Sequence, residues 1–369
     1  MALIEARFRT SARFELKRLA ELAPEQREPF RELEADPDFF GLLVPRTAAS
    51  ANIKSIGHDT AALLLRLTTA SPLEADDDVI DLVLDGVIEI ESDGEFVSGA
   101  DALPVLCDIE DAGAEPRGTA RLSLDALRHA GDLESSDAGT LTGAMYFYNR
   151  IPISRFWRAR FPDREAVLAH LGGANAVPNA WHAPAPAQGW ITWYPRQRRV
   201  ADSSKPMFKL YVSPRPENIR DAFHALVRAL TDIGGADFKI GDDASGLLRP
   251  DKFVAYFASR EEVDQAAAAV MTRLDGCPAH GVPFTAGIDD AGLLSWGIDP
   301  PDSERTLSWM GRESWRLWLA TKLGDAMAFA KSDATRRGIA PWQFARERVR
   351  RLGVDVERWT PTGALWRAA

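Results

Sequence analysis

The feature that most constrains this 369-residue chain is the order of short segments between residues 208 and 285. Phe208-Lys-Leu-Tyr-Val-Ser reads as a strand. Residues 214–233 read as a helix with Ile219, Phe223, Leu226, Val227, Leu230 and Ile233 on one face, stopped by Gly234-Gly235. Phe238-Lys-Ile and Phe253-Val-Ala-Tyr-Phe are two further strands, 261–274 is a second helix, and Val282-Pro-Phe-Thr is expected as an edge-type strand. This β-α-β-β-α-β order is a split βαβ arrangement, so the second half of the chain is expected to be an α+β domain with an antiparallel or mixed sheet. Leu293-Leu-Ser-Trp-Gly adds either a strand or a pocket-lining loop, and two helices, at 313–332 and 341–352, follow.

The first half has a different character. Residues 1–150 hold 14 Lys+Arg against 29 Asp+Glu, and the remainder holds 30 against 25, while all 11 tryptophans lie at or after Trp157. A change in both charge sign and aromatic usage predicts a domain division, placed at 1–145 and 146–369. Residues 1–35 are expected to be helical, with Phe14, Leu16, Leu19 and Leu22 apolar among charges until Pro24 interrupts. One helix starts near Asp59 as N-cap, and a second follows Pro72 through Val79, Ile80, Leu82 and Val83 to Gly86. Val87-Ile-Glu-Ile-Glu then alternates, Ser92-Asp-Gly turns, and Glu95-Phe-Val-Ser returns as a hairpin. These parts suit a mainly helical N-terminal domain containing a winged-helix-like hairpin, or a plain helical packing module with one hairpin. Residues 111–140 read as a linker holding one helix at 122–130, and 173–187 as a long surface loop.

Charge and composition exclude several classes. The acidic first half argues against nucleic acid, whose binding needs dense positive charge. No apolar run is long enough to span a bilayer, and the N-terminus lacks a basic region followed by an apolar one, so a soluble, cytoplasmic chain with no membrane partner is expected. Cys107 and Cys277 lie outside any CxxC pattern, which fits a reducing compartment. There is no Walker A loop, GxGxxG, HExxH or GxSxG, and the six histidines are scattered, so neither a metal nor a cofactor is expected.

What remains is a group of cations on the split βαβ unit. Lys205 flanks the first strand, Lys209 sits in it, and Tyr211 shares the Lys209 face by period two. Lys239 points away from the face shared by Phe238 and Ile240. Arg249 and Lys252 straddle Pro250-Asp251 just before the third strand. The ordinary reading is solvated strand and loop charge. The sharper one is a phosphate site at the ends of adjacent strands, with Asp251 orienting the Arg249 guanidinium. Trp190 and Trp193, near the proline-rich loop, are expected to line a groove and Trp296 a pocket, with Trp193 and Trp296 on substrate, whereas Trp315 and Trp318, at i and i+3, suit a helical core.

The runs Lys-Leu-Tyr-Val-Ser-Pro, Phe-Lys-Ile-Gly, Arg-Pro-Asp-Lys-Phe-Val-Ala-Tyr-Phe and Gly-Val-Pro-Phe-Thr resemble the HopA-type effector domain family over roughly residues 140–355. That family was first named from a plant-pathogen effector, and its relatives occur in gene clusters for class V lanthipeptides and thioamitides beside a kinase-like protein. The resemblance implies β-elimination of phosphate from phosphoserine or phosphothreonine, without a metal, and carries over Lys239 from the Phe-Lys motif and Arg249 and Asp251 from Arg-x-Asp. The family's Ser-Phe-Gly element is represented here only by Ser308-Trp-Met-Gly or Leu294-Ser-Trp-Gly.

The expected sites are therefore Lys239, Lys209, Tyr211 and Asp251 as catalytic residues, Arg249, Lys252 and Lys205 on phosphate, and Trp296 and Trp193 on substrate. Lys239 is the expected base, because neighbouring cations would lower its pKa. The expected partners are a precursor peptide, bound through its leader by the N-terminal half, and a kinase-like protein. A non-catalytic recognition or scaffold subunit, and a host-directed effector, stay open as alternatives.

Overall fold

Strand Phe208–Val212 alternates its side chains, so Leu210 is buried on one face while Lys209 and Tyr211 take the other. In the computed structural model, which describes residues 4–46, 52–107, 115–173, 176–182, 184–197, 206–300, 307, 311, 313–332, 338–363 and 365, this strand is central to an antiparallel sheet. It pairs on one side with Phe253–Phe257 (Lys209 opposite Tyr256) and on the other with Leu294–Ile298 (Lys209 opposite Gly297). Phe253–Phe257 continues to Phe238–Gly241, then to Trp190–Trp193 and Ala185–Ala187. Taking Phe208–Val212, Phe238–Gly241, Phe253–Phe257 and Leu294–Ile298 alone, the spatial order is fourth, first, third, second in chain order, which is the split βαβ arrangement with Leu294–Ile298 as its last strand.

Helices Ile219–Asp232 and Arg260–Arg273 cover one face of this sheet. Phe223, Leu226 and Leu230 from the first, and Val263, Ala266 and Val270 from the second, close over Leu210, Phe238, Ile240, Phe253 and Ala255. Each of the large side chains contributes about 1.5–3 kcal/mol by leaving water. Phe238–Gly241 is pinned to the short helix Ala244–Leu247 by a backbone approach that only glycine allows: a Cβ on Gly241 would sit 2.3 Å from the Gly246 carbonyl carbon.

The expected edge strand at Val282-Pro-Phe-Thr does not form. Pro283 has no N–H to give, and its carbonyl accepts from Arg316 Nε at 3.0 Å. Phe284 has φ 58°, and its N–H donates to Ser123 Oγ at 2.7 Å. Side chains thus take the backbone groups a ladder would need. Pairing resumes only at Ala286–Gly287, against Leu294–Ile298.

The N-terminal half is less helical than its sequence suggested. Ile4–Thr10 and Phe14–Lys17 are strands rather than a helix. Ala6-Arg7-Phe8-Arg9 alternates with period two, which buries Phe8 completely, and the period-two signal outweighs the helical spacing of Phe14, Leu16 and Leu19. Ile4–Thr10 lies between Ser71–Ala75 and Ile88–Ser92 in a four-stranded sheet ending in Glu95–Val97. The hairpin turns at Asp93-Gly94, both with positive φ (55° and 80°), as a two-residue turn between right-twisted strands requires. A second sheet joins Phe14–Lys17, Phe39–Pro45 and Lys54–Gly57. Helix His58–Arg66 starts after Gly57, so Asp59 lies in its first turn rather than at the cap, and Asp77–Leu84 is capped by the Asp76 carboxylate on Val79 N–H.

A third layer is all helical. Gly118–Asp132 and Ala138–Tyr146 pack with Trp315–Ser332 and Pro341–Arg351 around Leu127, Leu141, Met145, Trp315, Leu319 and Leu323. The expected division at 145/146 runs through this layer, and Ala330 and Phe344 also reach into the N-terminal core. Arg348 and Arg351 tie the same C-terminal helix to Asp81, Asp85 and Asp77 of the first half. Among the described residues, no helix is long and apolar enough to cross a membrane.

Candidate functional site

The face of the large sheet opposite its helices carries the cations. Period two in the strands places Trp190, Thr192, Lys239, Gly241, Val254, Tyr256, Lys209, Tyr211, Ser295 and Gly297 on this one face. Lys239 Nζ stands 4.1 Å from the Trp190 ring centroid and 5.7 Å from that of Tyr256, and Lys209 Nζ is 5.9 Å from the same Tyr256 centroid. Lys209 donates to Asp299 Oδ1. Lys239 hydrogen-bonds no described residue. Burial pulls its ammonium down to about 8, with the Lys209 charge next in weight and Arg249 acting in the same sense, against the pull of Asp251.

Arg249, at the end of the Ala244–Leu247 turn of helix, completes the group. Its Nε and Nη2 each reach a separate oxygen of Asp251 at 2.9 Å, and Nη2 also donates to the Tyr146 hydroxyl at 3.0 Å. Asp251 in turn accepts from Arg316 Nη1 at 2.7 Å, and Arg316 is anchored by the carbonyls of Pro283 and Tyr146. Burial alone would raise the Asp251 carboxyl, but Arg316 and then Arg249 outweigh it and hold it at about 2. Asp251 is therefore an ionised brace between two guanidiniums and has no proton to move. Tyr211 is buried, which pushes its hydroxyl well above 10 and keeps it a donor.

Several expected site residues are elsewhere. Trp193 lies opposite Phe238 and stacks on it at 4.9 Å in the core, and Trp296 lies opposite Leu210 on the same core face, with the Arg260 guanidinium 4.1 Å above its ring. One residue of register separates them from the cation face. Lys252 is fully buried and donates to His280 Nδ1 at 2.8 Å, while His280 Nε2 donates to the Asn149 carbonyl, so Lys252 cannot reach a phosphate. Burial lowers Lys252 to about 7 and His280 to about 3. Lys205 and Ser308 lie outside the described residues.

Tyr146 and Arg316, which sequence reasoning passed over, stand at the site with Trp190, expected along a groove, and Ser295 of the Leu294-Ser-Trp-Gly stretch. Trp190 floors Lys239, Tyr146 touches Arg249, and Arg316 braces Asp251. Ser295, in the Leu294-Ser-Trp-Gly stretch, is buried beside Tyr211 with no hydrogen-bond partner for its hydroxyl among the described residues. Period two in Trp190–Trp193 separates the two tryptophans onto opposite faces, whereas nothing local marks Arg316. Burial raises the Cys277 thiol, and no group of three or more metal-ligating side chains gathers among the described residues.

The class defined so far is a mixed α+β chain with a cation cluster on one sheet face. No family model matches it, and no curated protein matches it. Among solved structures it is similar to an effector protein from Pseudomonas syringae pv. tomato strain DC3000, at 14% identity and a TM-score of 0.39, over 66% of this chain and 98% of that one. An effector protein from Pseudomonas syringae pv. syringae strain 61 is similar at 12% and 0.39, over 67% and 99%. The phosphothreonine lyase effector VirA (SpvC) of Chromobacterium violaceum is similar at 16% and 0.29, over 57% and 96%. The chemistry of the site rests on this chain's own side chains.

Proposed function

We propose that the protein is a lyase that eliminates phosphate from phosphoserine or phosphothreonine in a peptide. The observation that carries this reading is Lys239: an amine without a hydrogen-bond partner among the described residues, titrating near 8, between two further cations on one face. A neutral Lys239 amine takes the Cα proton, the electron pair forms the Cα–Cβ double bond, and the Cβ–Oγ bond breaks to release phosphate. Arg249 stays charged at any working pH and holds the leaving phosphate. Lys209 adds charge, and the Tyr211 hydroxyl donates a hydrogen bond to the departing oxygen. The products are a dehydroamino acid and inorganic phosphate, with no change in net oxidation state. The substrate in this proposal is a ribosomally made precursor peptide in the cytoplasm, phosphorylated by a separate kinase-like protein, and the N-terminal half contacts its leader.

A synthetic phosphothreonine peptide carrying the leader, followed by mass spectrometry for loss of phosphoric acid, tests the reading. Lys239→Ala is expected to lose about two to four orders of magnitude in rate, and unchanged turnover would remove Lys239 from the mechanism. One observation favours a non-catalytic peptide-binding subunit instead: Lys209 and Arg249 already hold internal carboxylates, Asp299 and Asp251. Tight peptide binding with no turnover by the wild type would decide for that alternative.

A further inference from the structure

We propose that the stretch from Phe147 to Arg160 is a docking surface for acidic residues that flank the phosphorylated residue of the substrate peptide, an inference that rests on the lyase reading above. From Tyr146 to Pro162 the chain carries four arginines and no acidic residue. Arg155, Arg158 and Arg160 lie on the exposed face of helix Arg155–Arg160, around Phe156, which is 60% exposed, and Phe147 is 46% exposed beside Arg150. None of these four arginines has an acidic partner among the described residues, although Arg249, Arg260, Arg273, Arg348 and Arg351 all do. Large exposed aromatics among unpaired cations are unusual for a surface that faces only water.

The surface adjoins the site. Phe147 packs edge-on against Tyr146 at 5.1 Å, and Tyr146 accepts from Arg249. Arg150 Nη2 donates to Ser245 Oγ at 2.6 Å, and Ile151 N–H to the Leu248 carbonyl, so the segment is backed against the short turn that delivers Arg249. A peptide with its phosphate at Arg249 would run past Tyr146 onto this surface, and its charge must be negative to complement it. The aromatic rings offer apolar side chains of the same peptide a place between the guanidiniums.

The test uses the full chain, a fluorescent unphosphorylated peptide rich in Glu and Asp with two Leu, and its Lys-substituted counterpart, by anisotropy. The wild type should bind the acidic probe, more weakly as salt rises. R155E/R158E should weaken it by about tenfold, the sum of two lost ion pairs and two new like-charge contacts, with an unchanged urea midpoint. In turnover, an acidic-flanked phosphothreonine peptide should show a lower KM than a neutral-flanked one at similar kcat, and R155E/R158E should erase that difference. Equal probe binding by wild type and R155E/R158E, or equal KM for the two peptides in an active wild type, overturns the proposal. So does binding of anionic vesicles in place of the probe, or self-association lost in R155E/R158E, which would assign the surface to a membrane or to the acidic half of a second copy. Probe binding that R155E/R158E weakens, without turnover of either phosphopeptide, upholds the surface and refutes the lyase reading alone.

Discussion

Asp251→Asn changes one atom and removes the charge shared by Arg249 and Arg316, so it tests whether this brace is electrostatic. Asp251 is 6% exposed and Arg316 1% exposed, and water can therefore do little to replace the lost charge. The folded carboxyl titrates at about 2 against an ordinary 3.8. The depressed value means that the charged form stabilises the fold fully above the unfolded pKa and loses that contribution as pH falls towards 2. Linkage over this interval gives about 2 kcal/mol at neutral pH and about 1 kcal/mol at pH 3. Breaking a buried pair by deleting one partner costs about 3–5 kcal/mol in general. The Asn amide keeps the shape and can still accept one hydrogen bond, so the expected loss at pH 7 is about 2–4 kcal/mol. Urea unfolding of wild type and Asp251→Asn at pH 7 and pH 3 measures it, and the gap should narrow in acid. Equal stability at pH 7, or a gap that widens towards pH 3, would refute the charge argument.

Three more predictions follow from the same geometry. Elimination by the wild type should rise with pH through about 8 as Lys239 loses its proton, and Lys239→Arg, which stays protonated, should be inactive across the range; a flat profile in steady-state assays would exclude Lys239 as the base. Lys252 titrates at about 7 when folded, below its unfolded value, so the unfolded chain binds more protons between those values and stability should gain about 2 kcal/mol from pH 7 to 9 through this group. That gain should be missing in Lys252→Met, as urea midpoints at the two pH values would reveal, and identical slopes would show that Lys252 does not titrate there. Gly241→Ala should destabilise the chain by about 2 kcal/mol or more, because its Cβ has no room against the Gly246 backbone; an unchanged thermal midpoint would contradict the close approach.

Three strands of the large sheet, Phe208–Val212, Phe238–Gly241 and Phe253–Phe257, and their two helices are legible in the sequence because they follow local periods of two and 3.6, whereas Ala185–Ala187, at the end of the expected surface loop, becomes a strand through its pairing with Trp190–Trp193. The same periodicity put Lys209, Tyr211 and Lys239 on the face away from the core. Tertiary structure decided the rest. Val282-Pro-Phe-Thr has strand-like composition, but Arg316 and Ser123, 33 and 161 residues distant, take its backbone groups. Lys252 and Arg249 look alike in sequence, yet one is sealed against His280 and the other is held open by Asp251 and Tyr146. Trp190 and Trp193, three residues apart, take opposite faces of one strand, and pairing of Trp193 with Phe238 makes Trp193 the core ring and leaves Trp190 to floor the lysine. Local pattern fixes which face a side chain takes, whereas burial and charge partners come from segments far apart in the chain, and those partners set the chemistry of each amine and guanidinium.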